Sequence, residues 1–163
     1  MNPLNYRQIL FDTAQRILQD AAFAFIDPAD EDGASLDPGP FMACSVAFAG
    51  PFRGAMALAS GARLAATLAA NMLGVDEDDP DATRKKADAL GEILNMICGN
   101  VLPEIAGARA EFAITAPEPL TEPQFENMLS QAPDHMLFTA DILVEGFDAH
   151  LALIVDAEAA AAS

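Results

Sequence analysis

Residues 88–100 read DALGEILNMICGN, and four of them stand out by type and spacing. At about 100° per residue along a helix, Glu92 falls about 40° from Asp88, Asn95 about 20° to the other side and Gly99 about 20° round again. The four therefore share one narrow stripe. Leu90, Ile93, Leu94, Ile97, Cys98 and Val101 occupy the opposite arc, which predicts an apolar face turned to a sheet and a polar stripe turned outward. A carboxamide both donates and accepts hydrogen bonds, so it can fix the orientation of a water molecule. A carboxylate one turn away can pair with a cation on a partner. A Glu-x-x-Asn pair alone is common, and any amphipathic helix needs a polar face. Asparagine, however, costs several tenths of a kcal/mol in a helix interior and glycine about 1 kcal/mol, where Lys, Glu or Gln would serve a solvated face at lower cost. A stripe that keeps Asn95 and the bare Gly99 reads as cleared for the close approach of a partner.

The elements that position this stripe follow from periodicity. Ile9, Leu10, Thr13, Ile17 and Ala21 trace one face of a first helix over 5–24. Residues 27–40, dense in Asp, Gly and Pro, read as a loop. Met42, Cys44, Val46 and Phe48 then alternate with small residues, Gly50-Pro51 turns the chain, and Phe52, Met56 and Leu58 resume the pattern, which makes a hairpin. A second helix follows, with Ser60 as its expected N-cap and Leu64, Leu68 and Met72 spaced four apart. The helix that carries the stripe is expected over 81–106, interrupted at Gly99 and Pro103. Alternation over 111–115, 135–145 and 147–156 predicts three strands, with Glu145-Gly146 as a tight turn, and a small-residue tail at 157–163 that frays. The class is α+β with a mainly antiparallel sheet flanked by helices, in one domain over 1–163. The order of elements is consistent with two halves of one worn, pseudo-duplicated plan.

Composition narrows the function further. The chain has 163 residues, is 52% hydrophobic and carries 25 acidic against 8 basic residues, a net charge of −17. It should fold, and it offers no basic stripe for nucleic acid or for an anionic membrane. No apolar run is long enough to span a bilayer, since the longest is interrupted by Arg63. MNPLNYRQILFD lacks the basic and apolar segments of a secretory signal, so the cytoplasm is the expected compartment. Cys44 and Cys98 sit among apolar neighbours and read as buried free thiols, not nucleophiles. DEDDPD at 76–81 lacks the ligand spacing of a calcium loop, and His135 and His150 fall in separate strands without partners at metal spacing, so no metal site is expected. Met72, Met96, Met128 and Met136 read as packing.

The residues Asp88, Glu92 and Asn95, the following Gly99-Asn100 and the order of elements around them resemble the CheX, CheC and FliY group of chemotaxis phosphatases, which act on the phosphorylated response regulator CheY. The likeness spans most of the chain. That group carries a proline roughly two dozen residues after the asparagine, and here Pro117 and Pro119 straddle the place with Glu118 between them. The first helix holds no second Glu-x-x-Asn, so the chain is more similar to the single-site CheX type than to the two-site CheC type. The resemblance implies that Asn95 enters a receiver's active site and positions the attacking water, and that Glu92 engages the receiver's lysine. Asp88 either touches the partner or orients the helix, and Gly99 clears room. It implies no cofactor of the chain's own, with Mg²⁺ carried by the receiver. It also implies a phosphorylated CheY-like partner, a CheD-like regulator and a homodimer. The alternative within the same fold is a non-catalytic module that binds a receiver or a flagellar switch component.

Overall fold

The computed structural model describes residues 3–28, 38–133 and 136–156. His135, the tail at 157–163 and residues 29–37 of the expected loop lie outside the described residues. The elements are α1 (Pro3–Ala22), β1 (Ile26–Pro28), β2 (Phe41–Ala49), β3 (Arg53–Gly61), α2 (Ala62–Leu73), α3 (Pro80–Ala106), β4 (Ala113–Ile114), β5 (Glu118–Leu120), α4 (Glu122–Gln131), β6 (Leu137–Val144) and β7 (Phe147–Val155).

The strands form one antiparallel sheet in the order β1-β6-β7-β3-β2, with β4 and β5 lying in turn along the outer edge of β2. Side chains alternate across it. Cys44, Val46, Phe48, Met56, Leu58, Leu151, Leu153 and Phe138 point to one face, where α1, α2 and α3 cover them. Leu90, Ile93, Leu94, Ile97, Cys98 and Val101 of α3 are buried there, as the helical spacing predicts. Each fully buried Leu or Ile contributes on the order of 1.5–3 kcal/mol by leaving water, which locks the rotation of α3 about its axis. The second face is lined by Ala43, Ala57 and Ala59, and Phe125 of α4 packs on these small residues. The class is α+β with a mainly antiparallel sheet, and the Glu145–Gly146 turn takes φ of 53° and 83°, as a two-residue hairpin loop of the primed type requires.

The structure corrects several local expectations. Asp27 and Pro28 belong to β1, which pairs with β6, not to a loop. Ser60 is the penultimate residue of β3 and does not cap α2; Gly61 holds the cap position with no side-chain bond. The first amides of α2 are satisfied instead by backbone carbonyls across the chain, Ala62 N–H donating to Pro40 O at 2.7 Å and Arg63 N–H to Pro38 O at 3.2 Å. Helix α3 is not interrupted at Gly99 or Pro103. Pro103 lies in the last turn and withholds one N–H from the carbonyl of Gly99, which is exposed and open to water. Packing through Val101 and Leu102 holds the helix together there. The strand expected over 111–115 pairs only at Ala113 and Ile114. β5 and α4 have no counterpart in the sequence reading. Helix α4 nevertheless announces itself in Thr121-Glu-Pro-Gln124, a reciprocal capping box with Pro123 in the first turn.

Candidate functional site

Helix α3 starts with Asp79 as its cap, whose carboxylate accepts from Asp81 N–H at 2.8 Å, and with Pro80 as its first residue. Its buried arc sets the phase, and the phase delivers Asp88, Glu92 and Asn95 to one wall of an open cleft of about 630 Å³. The facing wall comes from Met42 and Cys44 of β2 and from Pro117 and Pro119 beside and within β5. The three sequence-predicted polar residues are thus together. Gly99 is one turn farther on, exposed, outside the cleft lining, with nothing within 4 Å of where a Cβ would stand.

Asp88 and Glu92 are exposed and Asn95 is half-buried. Asp88 Oδ2 lies 3.8 Å from Lys85 Nζ, with 79% of the Asp88 side chain in solvent, so this pair contributes little. Among the described residues neither Glu92 nor Asn95 makes a side-chain hydrogen bond or ion pair. Asn100, in contrast, spends its amide on the Met96 carbonyl at 2.7 Å. An uncommitted, half-buried carboxamide needs water or a ligand for its donors and acceptor. The charged residues that line the cleft, Asp88, Glu92 and Glu118, are all acidic, so its lining complements a cation.

Among the described residues, the other groups of reactive type do not make a competing centre at this cleft. Cys44 lines it and Cys98 lies on the buried face of α3, but burial pushes both thiols up to about 12 from 9.0, so neither is a thiolate nucleophile near neutrality. His150 Nδ1 meets Asp141 Oδ1 at 2.8 Å across β6 and β7, on the face away from α3. Among the described residues no three His, Cys, Asp or Glu side chains converge as a cation cage would need, and no helix is long and apolar enough to cross a membrane.

Residues 42–138, more than half of the chain and inclusive of the whole stripe and Pro117, match the family model described as Chemotaxis phosphatase CheX. The chain belongs to the CheX family. Solved structures agree on the fold. A CheX protein from Desulfovibrio desulfuricans superposes with a TM-score of 0.67 at 15% identity, covering 93% of this chain and 99% of that one. CheX from Borrelia burgdorferi, solved as a CheX-CheY-BeF3-Mg complex, gives 0.59 at 19% identity over 92% and 97%. FliY of Thermotoga maritima gives 0.60 at 17% identity over 97% and 90%. No curated protein matches the chain. Two features of this CheX-family site escaped the sequence reading: the cleft wall made by β2 and β5, and the seating of Pro117 against Gly91. The trace in the sequence was Gly91 itself, a buried glycine kept inside a long helix at a cost of about 1 kcal/mol.

Proposed function

We propose that this CheX-family protein hydrolyses the phosphoaspartate of a CheY-like receiver, with Asn95 positioning the attacking water and Glu92 engaging the receiver's active-site lysine. The observation that carries the reading is the pair itself: an exposed carboxylate and a half-buried carboxamide, one turn apart on a cleft wall, with no side-chain partner among the described residues. The CheX-CheY complex of Borrelia burgdorferi supports it as a precedent for a partner of this kind.

A phosphoaspartate is an acyl phosphate already held by the receiver's Mg²⁺ and lysine, so the chain need not supply a nucleophile or a metal. Water adds to phosphorus, the bond from phosphorus to the aspartyl oxygen breaks, and the products are inorganic phosphate and a free carboxylate. Asn95 acts by accepting from and donating to that water so that it lies in line, a contribution worth orders of magnitude in rate. Glu92 pairs with the ammonium and sets register. The reading carries with it a cytoplasmic location, a homodimer and a CheD-like regulator.

Phosphate release from phosphorylated receivers of the same organism tests it. Wild-type protein accelerates release, and Asn95→Ala loses most of that acceleration while keeping its melting temperature. Equal activity with Asn95 removed overturns the mechanism, and receiver binding without acceleration points to the non-catalytic module.

A further inference from the structure

Gly91 borders the stripe, three residues after Asp88 and four before Asn95, about 40° round α3 from Asn95 and buried where the helix meets the facing wall of the cleft. A Cβ placed there would stand 2.9 Å from Pro117 Cβ and 3.1 Å from Pro117 Cγ. Ordinary side chains do not approach that closely, so the proline ring rests on bare backbone. Pro117 cannot yield easily. On one side Thr115 N–H donates to Ala47 O and Ala47 N–H to Thr115 Oγ1, both at 2.9 Å. On the other side Glu118, Pro119 and Leu120 pair with Ser45, Cys44 and Ala43 of β2. The ring is pinned to the sheet at both ends and meets α3 between Asp88 and Asn95.

We infer that Gly91 and Pro117 form a positioning pair: the missing side chain at 91 sets the distance between the two walls of the cleft, and with it the reach of a receiver to Asn95. This rests on the phosphatase reading above. A methyl at 91 must push either the ring outward or α3 back, and both move the Asn95 carboxamide relative to whatever docks against Pro117. Displacements of about 1 Å cost on the order of 100-fold where a water must be held in line.

The test is kinetic and spectroscopic, with Gly91→Ala, Pro117→Gly and the double variant. Helix propensity alone favours Gly91→Ala, so a loss cannot come from that term. The expected result is a 10- to 100-fold fall in kcat on a phosphorylated receiver with a smaller change in KM. It should be accompanied by a shift of the Asn95 side-chain amide resonances, and both should be largely restored in Gly91→Ala/Pro117→Gly, where the atoms met by the methyl are gone. Wild-type kcat in Gly91→Ala, or a loss that the second substitution does not relieve, overturns the inference. Wild type and Asn95→Ala run in parallel: wild-type protein that does not accelerate phosphate release overturns the phosphatase reading, full activity in Asn95→Ala overturns the role given to Asn95, and in either case the amide shift and its reversal still decide whether the pair positions Asn95. Should Gly91→Ala not fold, Pro117→Ala trims the ring without a clash, and an unchanged kcat in that variant overturns the pair.

Discussion

Asn100 donates its side-chain amide to the Met96 carbonyl at 2.7 Å, closing a bond within its own helix, while Asn95 five residues earlier leaves its amide uncommitted on the cleft wall. The two asparagines of one helix should therefore respond in opposite ways. Asn95→Ala removes a poor helix former that has no protein partner, so stability holds or rises by a few tenths of a kcal/mol while dephosphorylation collapses. Asn100→Ala loses a local bond and leaves dephosphorylation near wild type. Thermal melts and phosphate-release rates on the two variants check both halves.

Asp88 and Lys85 are 3.8 Å apart with most of both side chains in solvent. Such a pair contributes about 0–0.5 kcal/mol, so Asp88→Asn should barely move the melting temperature. Because Asp88 also lines the cleft, the same change should weaken association with a receiver at low salt, and the difference should vanish as ionic strength rises. Titration calorimetry at two salt concentrations measures it.

Gly99 and Gly91 occupy the same helix and should answer the same substitution with opposite signs. Space around a Cβ at Gly99 is open, so Gly99→Ala should stabilise the protein by about 0.5–1 kcal/mol. The added methyl stands on the outward side of α3, beside the proposed docking stripe, so dephosphorylation should slow even as the melting temperature climbs. Unchanged kinetics would place the receiver short of that turn.

Alkaline pH should destabilise the fold through its two thiols. Burial lifts Cys44 and Cys98 from 9.0 to about 12, so above pH 9 the unfolded chain releases protons that the folded chain keeps. The unfolded state then binds fewer protons, and stability falls as pH rises between 9 and 12, at about 1.4 kcal/mol per pH unit for each thiol. Urea midpoints from pH 8 to 10 should drop, and the slope should halve when either cysteine is replaced by alanine. Tyr6, also raised by burial, adds to the fall only above 10.0.

Thr121 accepts from Gln124 N–H while the Gln124 side chain accepts from Thr121 N–H. Thr121→Ala should cost about 1 kcal/mol and loosen α4 from the alanine face without touching the cleft. Amide exchange along 122–131 measures the loosening.

Much of this was legible in local order because it depends on neighbours within a turn or a strand. The hairpin of β2 and β3, the apolar arc of α3 and the Glu145–Gly146 turn follow from spacings of two, four and two residues. Helix α4 went unread: its one local mark is the capping box, its sequence is mostly polar and only Phe125 is buried, so no apolar period marks it. Strands β1 and β5 are three residues each, too short to show alternation, and they exist because β6 and β2 offer an edge to pair with.

The stripe of Asp88, Glu92 and Asn95 was determined by the sequence alone, since 3.6 residues per turn and one apolar face leave those three nowhere else to point. What faces the stripe was decided only by tertiary structure. Pro117 reaches Gly91 because β4 and β5 add to the outer edge of β2, and the first turn of α2 is capped by Pro38 and Pro40 instead of Ser60 because the pairing of Phe41 with Gly61 brings the residues leading into β2 beside the start of the helix. Such contacts join residues far apart in the chain, and no local period records which distant backbone will arrive to fill a gap or satisfy an amide.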